Sequence, residues 1–257
     1  MNRLEIQIAT HGKDGLASIL SRQYPLADGV MYRVGWQGGE SRNLADNIIV
    51  NGNKVRSLTE NRNCLIELSD AEIILFGDND ISYTYAQISN LIAIFDNNPT
   101  VDFICFRLDR NDKKYPDEIF DMTIPKHGYF PSSCEIAVRK SFLDKHNVRF
   151  DTRFGLSARF ICFEEYLFVN DLLNNGARGI YLPVIIGHHE SETSTGTNPD
   201  LKREVEIARG AALGIVSPCS APLRLVVQAY RNKSFQYLFN GLRGYFSVLF
   251  RPNRCDI

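Results

Sequence analysis

Three groups of side chains in this sequence have the chemistry of a catalytic centre, and the first is a pair of aspartates. Asp78 and Asp80 follow the apolar run 73–76, and alternate residues of an extended segment point the same way, so both carboxylates can face one cation. Oxygen ligands suit Mg²⁺ or Mn²⁺, which neutralise a diphosphate leaving group. The same pattern also occurs in solvated turns, but its place directly after a buried strand favours the metal site.

An acidic pair and a histidine pair form the other two groups. Glu164 and Glu165 begin a predicted helix, where they either complement the helix dipole or include a general base that takes a proton from a hydroxyl. His188 and His189 follow a predicted strand and either are structural or bind a metal or a phosphate. Adjacent strand residues face opposite ways, so the sequence leaves open which histidine would bind a metal.

The elements that position these groups alternate between strands and helices. Apolar runs and alternation predict strands at 4–9, 30–34, 55–58, 73–76, 101–108, 131–138 and 180–186. Helical spacing predicts helices at 16–20, at 59–66 with Thr59 as the N-cap, and at 85–95, 140–146 and 163–174. The apolar face of the last helix, 163–174, is formed by Phe163, Tyr166, Leu167 and Leu173. Such alternation predicts an α/β fold with a mostly parallel sheet, which binds ligands at its strand ends.

Composition excludes several classes of protein. Of 257 residues, 44% are hydrophobic and 23% are charged, and the net charge is −1. These values are typical of a globular protein and argue against disorder, a coiled coil or a nucleic-acid coat. The six cysteines include no CxxC pair, which favours reduced thiols. With neither a signal peptide nor a long apolar run, the sequence predicts a cytoplasmic protein.

The order of these landmarks resembles a family 2 glycosyltransferase with the GT-A fold, a single Rossmann-like domain that uses nucleotide-diphosphate sugars. The resemblance covers residues 4–200. It rests on Thr10-His11, on Leu58-Thr59-Glu60-Asn61-Arg62-Asn63, on Asp78-Asn79-Asp80, on segment 133–139, on Phe150-Asp151 with Phe154-Gly155, on Glu164-Glu165, and on His188-His189 with Ser194.

The resemblance implies a role for each matched position. Thr10 and His11 would line the pocket for the nucleotide base, and the other nucleotide-sugar contacts would come from Arg62, Asn63, Asp78 and Asn79. A Mn²⁺ or Mg²⁺ ion would be bound by Asp80 with His188 or His189. Glu165 matches the family's catalytic base, although the family commonly has Asp there, so Glu164 stays an alternative.

The resemblance also implies a reaction and its substrates. A metal-dependent inverting displacement would move a sugar, with a UDP-sugar favoured as donor, to a hydroxyl of a cell-envelope glycan or lipid-linked acceptor. Independently of the resemblance, the composition of segment 190–198, rich in Ser and Thr, predicts a loop that closes over the bound donor. Two other functions are alternatives. A sugar-phosphate nucleotidyltransferase would need a Gly-rich N-terminal loop with Arg and Lys, and a non-catalytic nucleotide-sugar-binding or membrane-docking module would not need Asp78, Asp80 and Glu165 together.

The C-terminal segment differs in charge from the rest of the chain. We predict a glycosyltransferase domain at 1–215 and a basic, aromatic helical appendage at 216–257. Residues 222–257 have a net charge of +5, and the remainder has −6. Two short amphipathic helices of this character would let residues 222–254 lie on an anionic membrane surface, which places the protein peripherally on the inner face of the cell membrane. The alternative is that their apolar residues pack on the body or in an oligomer; nucleic acid is not an expected partner.

Overall fold

The computed structural model describes residues 2–22, 24–123, 129–189 and 199–250. Within these ranges ten strands form one sheet: β1 Leu4–His11, β2 Val30–Gln37, β3 Arg42–Ala45, β4 Ile48–Asn53, β5 Ile73–Asp78, β6 Ile81–Ser82, β7 Phe103–Asp109, β8 Phe120–Asp121, β9 Ile136–Arg139 and β10 Gly179–His189. Their order is β3-β4-β2-β1-β5-β9-β7-β10-β6, and β8 pairs with β10. Strands β4, β2, β1, β5, β7 and β10 run in one direction, so the predicted mostly parallel α/β sheet is confirmed.

Helices cover both faces of this sheet. The described helices are α1 Gly12–Leu20, α2 Leu58–Leu68, α3 Tyr85–Asn97, α4 Lys140–His146, α5 Glu164–Asn174, α6 Lys202–Val216, α7 Ala221–Arg231 and α8 Phe235–Leu249. Strand β5 shows the layering, because Ile73 and Leu75 pack with residues of α1 and α3 on one face. Ile74 and Phe76 pack with residues of α2, α4 and α5 on the other face. A strand covered on both sides explains its uninterrupted apolar sequence.

Two local predictions before α2 were wrong. The predicted strand at 55–58 is not a strand; the strand of this region is β4, whose β-branched Ile48, Ile49 and Val50 favour extended backbone. The N-cap of α2 is Ser57 rather than Thr59, because Ser57 and Glu60 form a reciprocal capping box. Thr59 is buried instead, and its hydroxyl donates to the Phe154 carbonyl at 2.8 Å.

The predicted stripe of α5 was also partly wrong. Leu167 is buried as expected, but the other buried apolar residues of the helix are Phe168, Val169 and Leu172. Phe163 and Tyr166 are only half-buried, and they pack toward α6. Helix α5 therefore contacts both the sheet and a further helix, so its apolar surface is wider than one stripe.

The two predicted C-terminal helices are confirmed as α7 and α8, and α8 packs closely on α6. A Cβ atom at Gly210 would lie 1.8 Å from the Gly241 carbonyl oxygen, and one at Gly244 would lie 1.9 Å from the Ile207 carbonyl oxygen. The two helices therefore meet backbone to backbone, which requires glycine at the crossing. The boundary predicted after residue 215 falls at the end of α6. Among the helices described, none has the length and hydrophobicity needed to span a bilayer.

Candidate active site at the carboxyl edge of the sheet

A cavity of about 420 Å³ lies where β1, β2 and β4 end. The register places His11 opposite Gln37 and Gln37 opposite Asn53, which brings these strand ends together. Its lining residues are Ala9, Thr10, His11, Gln37, Gly38, Lys54, Val55, Arg56, Leu58, Leu156 and Ser157. The volume is within the range of small-molecule sites. Thr10 and His11, predicted to contact a nucleotide, thus lie in a cavity of suitable size.

Several residues of this cavity are not among those predicted from the sequence. Lys54 and Arg56 precede α2 and add two cationic side chains to the wall. Ser157 has a positive φ of 62° in the loop that faces them. A non-glycine residue in this backbone region is uncommon and is often found at functional sites. The sequence carries no periodic signal for such a loop, so only the tertiary structure reveals it.

The Arg62 side chain links two of the predicted acidic groups, the aspartate pair and the glutamate pair. Its guanidinium, only 2% exposed, lies 3.0 Å from an Asp78 carboxylate oxygen and 3.6 Å from Glu164 Oε1. The same group lies over the Phe150 ring at 5.5 Å. Burial alone would lower the pKa of Arg62, but the carboxylates of Asp78 and Glu164 outweigh it and raise the pKa. Arg62 is therefore a permanently charged bridge between the end of β5 and the start of α5.

Two neighbouring asparagines fix α2 in this position. Asn61 donates to the Gly35 carbonyl at 2.8 Å and accepts from the Asn53 side chain at 2.7 Å. Asn63 donates to the Phe150 carbonyl and accepts from the Phe150 N–H, each at 2.9 Å. Both polar atoms of the Asn63 amide thus bond backbone. The structure gives Asn63 a role in joining α2 to the segment that carries Phe150, while its predicted nucleotide contact stays a prediction.

The Asp78-Asn79-Asp80 turn is anchored to α1. The Asn79 carbonyl accepts hydrogen bonds from Ser18 Oγ at 2.9 Å and from Arg22 Nε at 2.8 Å. Asp78 ends β5 opposite Ala9 of β1, which places it beside the cavity. The two-residue strand β6 begins directly after Asp80. The backbone therefore holds the two aspartates at defined places, one at each end of the turn.

The pairing of β6 with β10 separates the two histidines. His189 lies opposite Ile81 and His188 opposite Ser82. His189 is buried, and its Nε2 lies 3.6 Å from Asp80 Oδ1. His188 is exposed and lies 3.1 Å, through Nδ1, from an Asp109 carboxylate oxygen. Of the two candidates, His189 is thus the one that shares a site with Asp80.

The two glutamates at the start of α5 have different environments. Phe163, the N-cap, has a φ of 80° and turns the chain sharply into the helix. Glu164 is buried; burial and the neighbouring Glu165 raise its pKa above the ordinary value, while Arg62 opposes this shift. Glu165 is half-buried. Burial raises the pKa of Glu165 as well, although Arg62 and the N–H of Ser133 favour its ionised form.

The donor set at Asp80 fits a divalent cation with a bound diphosphate. Within the described ranges no cluster of three or more His, Cys, Asp or Glu side chains forms a complete metal site. One carboxylate and one imidazole, 3.6 Å apart, can nevertheless bind the same ion. Mg²⁺ is typically held by one or two protein carboxylates, with water and substrate phosphates as further ligands. The residues present therefore fit a divalent ion that takes its remaining ligands from water or phosphate.

Comparison with known proteins identifies the fold. No protein-family model matches this chain, and no curated protein sequence does. Solved structures of S. aureus TarS are similar: TarS 1–349 has a TM-score of 0.61 at 13% identity, over 99% of this chain and 93% of that one. The complex of TarS 1–349 with UDP has a TM-score of 0.60 at 13% identity, with the same coverage.

Two further TarS structures match over most of this chain. The complex of TarS 1–349 with UDP-GlcNAc has a TM-score of 0.58 at 12% identity, over 96% of this chain and 92% of that one. A longer TarS chain has a TM-score of 0.60 at 13% identity, and the match covers 95% of this chain but only 55% of that one. At this identity the likeness establishes the fold, and what the chain does must be argued from its own residues.

Proposed function

We propose that the chain is a metal-dependent glycosyltransferase. It would move a sugar, with inversion, from a UDP-sugar to a hydroxyl of a cell-envelope glycan or lipid-linked acceptor. The proposal rests on the contacts of Arg62 with Asp78 and with Glu164, which join the aspartate turn to the acidic pair. The similar TarS structures hold UDP and UDP-GlcNAc, which supports a uridine nucleotide sugar as the donor.

Glu165 is the proposed catalytic base. It is more exposed than Glu164, so an acceptor hydroxyl can reach it. Glu165 takes the hydroxyl proton while the oxygen attacks the anomeric carbon. The bond from that carbon to the diphosphate breaks, and its electrons leave with UDP. One displacement of this kind inverts the anomeric centre. Glu164, buried against Arg62, is a positioning residue.

Asp80 and His189 are the residues that would hold the metal. A bound Mg²⁺ or Mn²⁺ ion would neutralise charge on the departing diphosphate. Thr10, His11, Lys54 and Arg56 would surround the nucleotide in the 420 Å³ cavity. The predicted covering segment 190–198 lies outside the described residues.

Ligand-induced stabilisation tests the donor site. UDP and UDP-GlcNAc, each with and without Mn²⁺, should raise the melting temperature of the wild-type protein, and Mn²⁺ should enlarge the shift. Asp80→Asn should abolish the Mn²⁺ contribution. Asp109→Asn is the matched control, because Asp109 contacts His188 rather than His189 and should leave that contribution intact. A folded protein that responds to neither nucleotide would refute the proposed donor.

Release of UDP from UDP-GlcNAc tests the catalytic base. Glu165→Gln should lower the rate by roughly 10²- to 10⁴-fold, the usual contribution of a general base, and should retain UDP binding. Full activity of Glu165→Gln together with an inactive Glu164→Gln would assign the base to Glu164. A non-catalytic nucleotide-sugar-binding module would bind UDP-GlcNAc and release no UDP even as the wild type.

The membrane contact expected for residues 222–254 belongs to the same proposal. The glycine side of α8 packs on α6, while other apolar residues of the C-terminal helices are exposed. Tyr230 is 85% exposed and Phe235 is 83% exposed. Lys233 and Arg243 are exposed cations on the same segment. An apolar surface with basic neighbours suits the interface of an anionic bilayer.

Flotation with vesicles tests this contact. The protein should float with phosphatidylglycerol vesicles more than with phosphatidylcholine vesicles, and salt should weaken the difference. Tyr230→Ser with Phe235→Ser should reduce flotation severalfold, whereas Tyr85→Ser, an exposed tyrosine of α3, should not. Deleting the whole tail would be a poor test because α8 packs tightly on α6. Full flotation of the double variant would refute membrane contact through this surface.

A further inference from the structure

A second cavity, of about 630 Å³, lies between the start of α5 and the helices α6, α7 and α8. Its lining residues are Phe163, Tyr166, Arg209, Ala212, Leu213, Leu223, Arg224, Val227, Gln228, Arg231 and Tyr237. Phe163 and Tyr166 are the residues on either side of the acidic pair Glu164-Glu165. The cavity therefore includes both sequence neighbours of the acidic pair, and it shares no lining residue with the 420 Å³ cavity.

Three guanidinium groups give this cavity its charge. Arg209, Arg224 and Arg231 line it, and none of its lining residues is acidic. Arg209 lies over the Phe163 ring at 5.3 Å, and Arg224 hydrogen-bonds to the Tyr166 side chain. Throughout the part of the chain that the structure describes, none of the three forms a salt bridge with a carboxylate. Arginines clustered without a carboxylate match phosphate, which guanidinium binds through paired hydrogen bonds.

The outer part of the cavity is apolar. Leu223 and Val227 of α7 line it and are 68% and 42% exposed. Ala212 and Leu213 of α6 continue this lining inward. Arg224 and Arg231 are exposed on the same helix, so the mouth of the cavity on α7 combines hydrocarbon with cations. A ligand that matches this combination has an apolar chain joined to a phosphate.

We infer that this cavity is the acceptor subsite and that it binds a lipid-linked acceptor through the lipid phosphate. The three arginines hold the phosphate, the α7 side chains contact the hydrocarbon, and the acceptor hydroxyl beyond the phosphate reaches Glu165. The inference rests on the proposed function, because it names the acceptor class of that same site. It also explains why a basic and apolar helical segment adjoins the acidic pair.

Binding of n-octyl phosphate, below its micelle concentration, tests the inference by calorimetry. Octanol has the same hydrocarbon chain without the phosphate charge. Glycerol 3-phosphate has the phosphate charge without the hydrocarbon chain. Octyl phosphate should bind at least about tenfold more tightly than either, since a hydrogen bond to a charged group changes affinity by about ten- to a hundredfold. Equal binding of octanol would overturn anion recognition. Equal binding of glycerol 3-phosphate would overturn the lipid source in favour of a water-soluble phosphate.

Charge-removing variants locate the site. Arg224→Gln and Arg231→Gln should each weaken octyl phosphate binding about tenfold. Arg203→Gln is the matched control, because Arg203 is an exposed arginine of α6 that does not line this cavity. Wild-type affinity in Arg224→Gln and Arg231→Gln would overturn the inference. UDP binding, measured on every variant, confirms that the protein folds. A wild-type protein that binds UDP but not octyl phosphate refutes this inference alone, whereas a wild-type protein that does not bind UDP refutes the proposed function.

Discussion

Replacing Arg62 with methionine tests the charge network that the proposed mechanism needs. Methionine keeps an unbranched side chain against the Phe150 ring but removes the cation between Asp78 and Glu164. Glu164 is then a buried carboxylate without a partner charge. Asp78 is less affected because about a third of its side chain is exposed to water. The variant therefore separates the contribution of one buried ion pair from that of a partly solvated one.

The magnitude follows from the geometry and depends on pH. Attraction between Arg62 and Glu164 at 3.6 Å is about 5 kcal/mol at an effective dielectric constant of about 20. Breaking a buried pair by removing one partner typically costs about 3–5 kcal/mol, which we expect when Glu164 is ionised. At about pH 5 Glu164 is protonated, since burial raises its pKa, and only the Asp78 bond is lost, about 2 kcal/mol.

The sign of the pH dependence is determined by proton binding. Loss of Arg62 raises the pKa of Glu164 further, so the folded state keeps a proton that the unfolded state has already released. Stability is therefore retained below the ordinary carboxylate pKa and is lost as pH rises through the raised pKa of the folded state. Arg62→Met should be less destabilised at about pH 5 than at about pH 9.

Urea unfolding followed by circular dichroism at the two pH values measures the effect. The double variant Arg62→Met/Glu164→Gln should recover stability at the higher pH, because glutamine leaves no charge to desolvate. Arg3→Met is the control: Arg3 pairs with Glu72 at the surface and should lose at most about 1 kcal/mol at either pH. An equal loss for Arg62→Met at both pH values, or no recovery in the double variant, would refute the reasoning.

Two further expectations follow from the fold and the acidic pair. Gly210→Ala places a methyl group 1.8 Å from the Gly241 carbonyl oxygen. Because this forces α6 and α8 apart, it should lower the free energy of unfolding, measured with urea, by about 3 kcal/mol or more. Unchanged stability would contradict the close crossing of the two helices. UDP release should rise with pH through a range above the ordinary carboxylate pKa, because burial raises the pKa of Glu165, which must be ionised to act. A rate already constant at about pH 5 would contradict that assignment.

The fold was largely predictable because its core strands and helices carry strong local signals. The apolar run of β5 and the helical spacing of α3 each predict one element, and alternation of such elements predicts the sheet. Apart from the apolar stripe of α5, the errors reported above lie between 40 and 59. In this region the β3–β4 hairpin mixes polar and apolar residues without a clear alternation. Ser57 rather than Thr59 is the N-cap because Glu60 completes the capping box with Ser57, while the Thr59 hydroxyl bonds to the Phe154 carbonyl. Partners distant in sequence cannot be read from a local pattern.

In the candidate site, too, the sequence supplies the residues but does not determine which of them come together. The sequence supplies Asp80 and two adjacent histidines, but strand alternation only states that they face opposite ways. The choice between them is made by β6, two residues long, which pairs Ile81 with His189 and so turns that imidazole toward Asp80. A shift of one residue in this pairing would exchange the two faces. Because β6 follows Asp80 directly, the turn that positions the aspartate also sets the register that selects the histidine, so the two proposed ligands are placed by one piece of backbone.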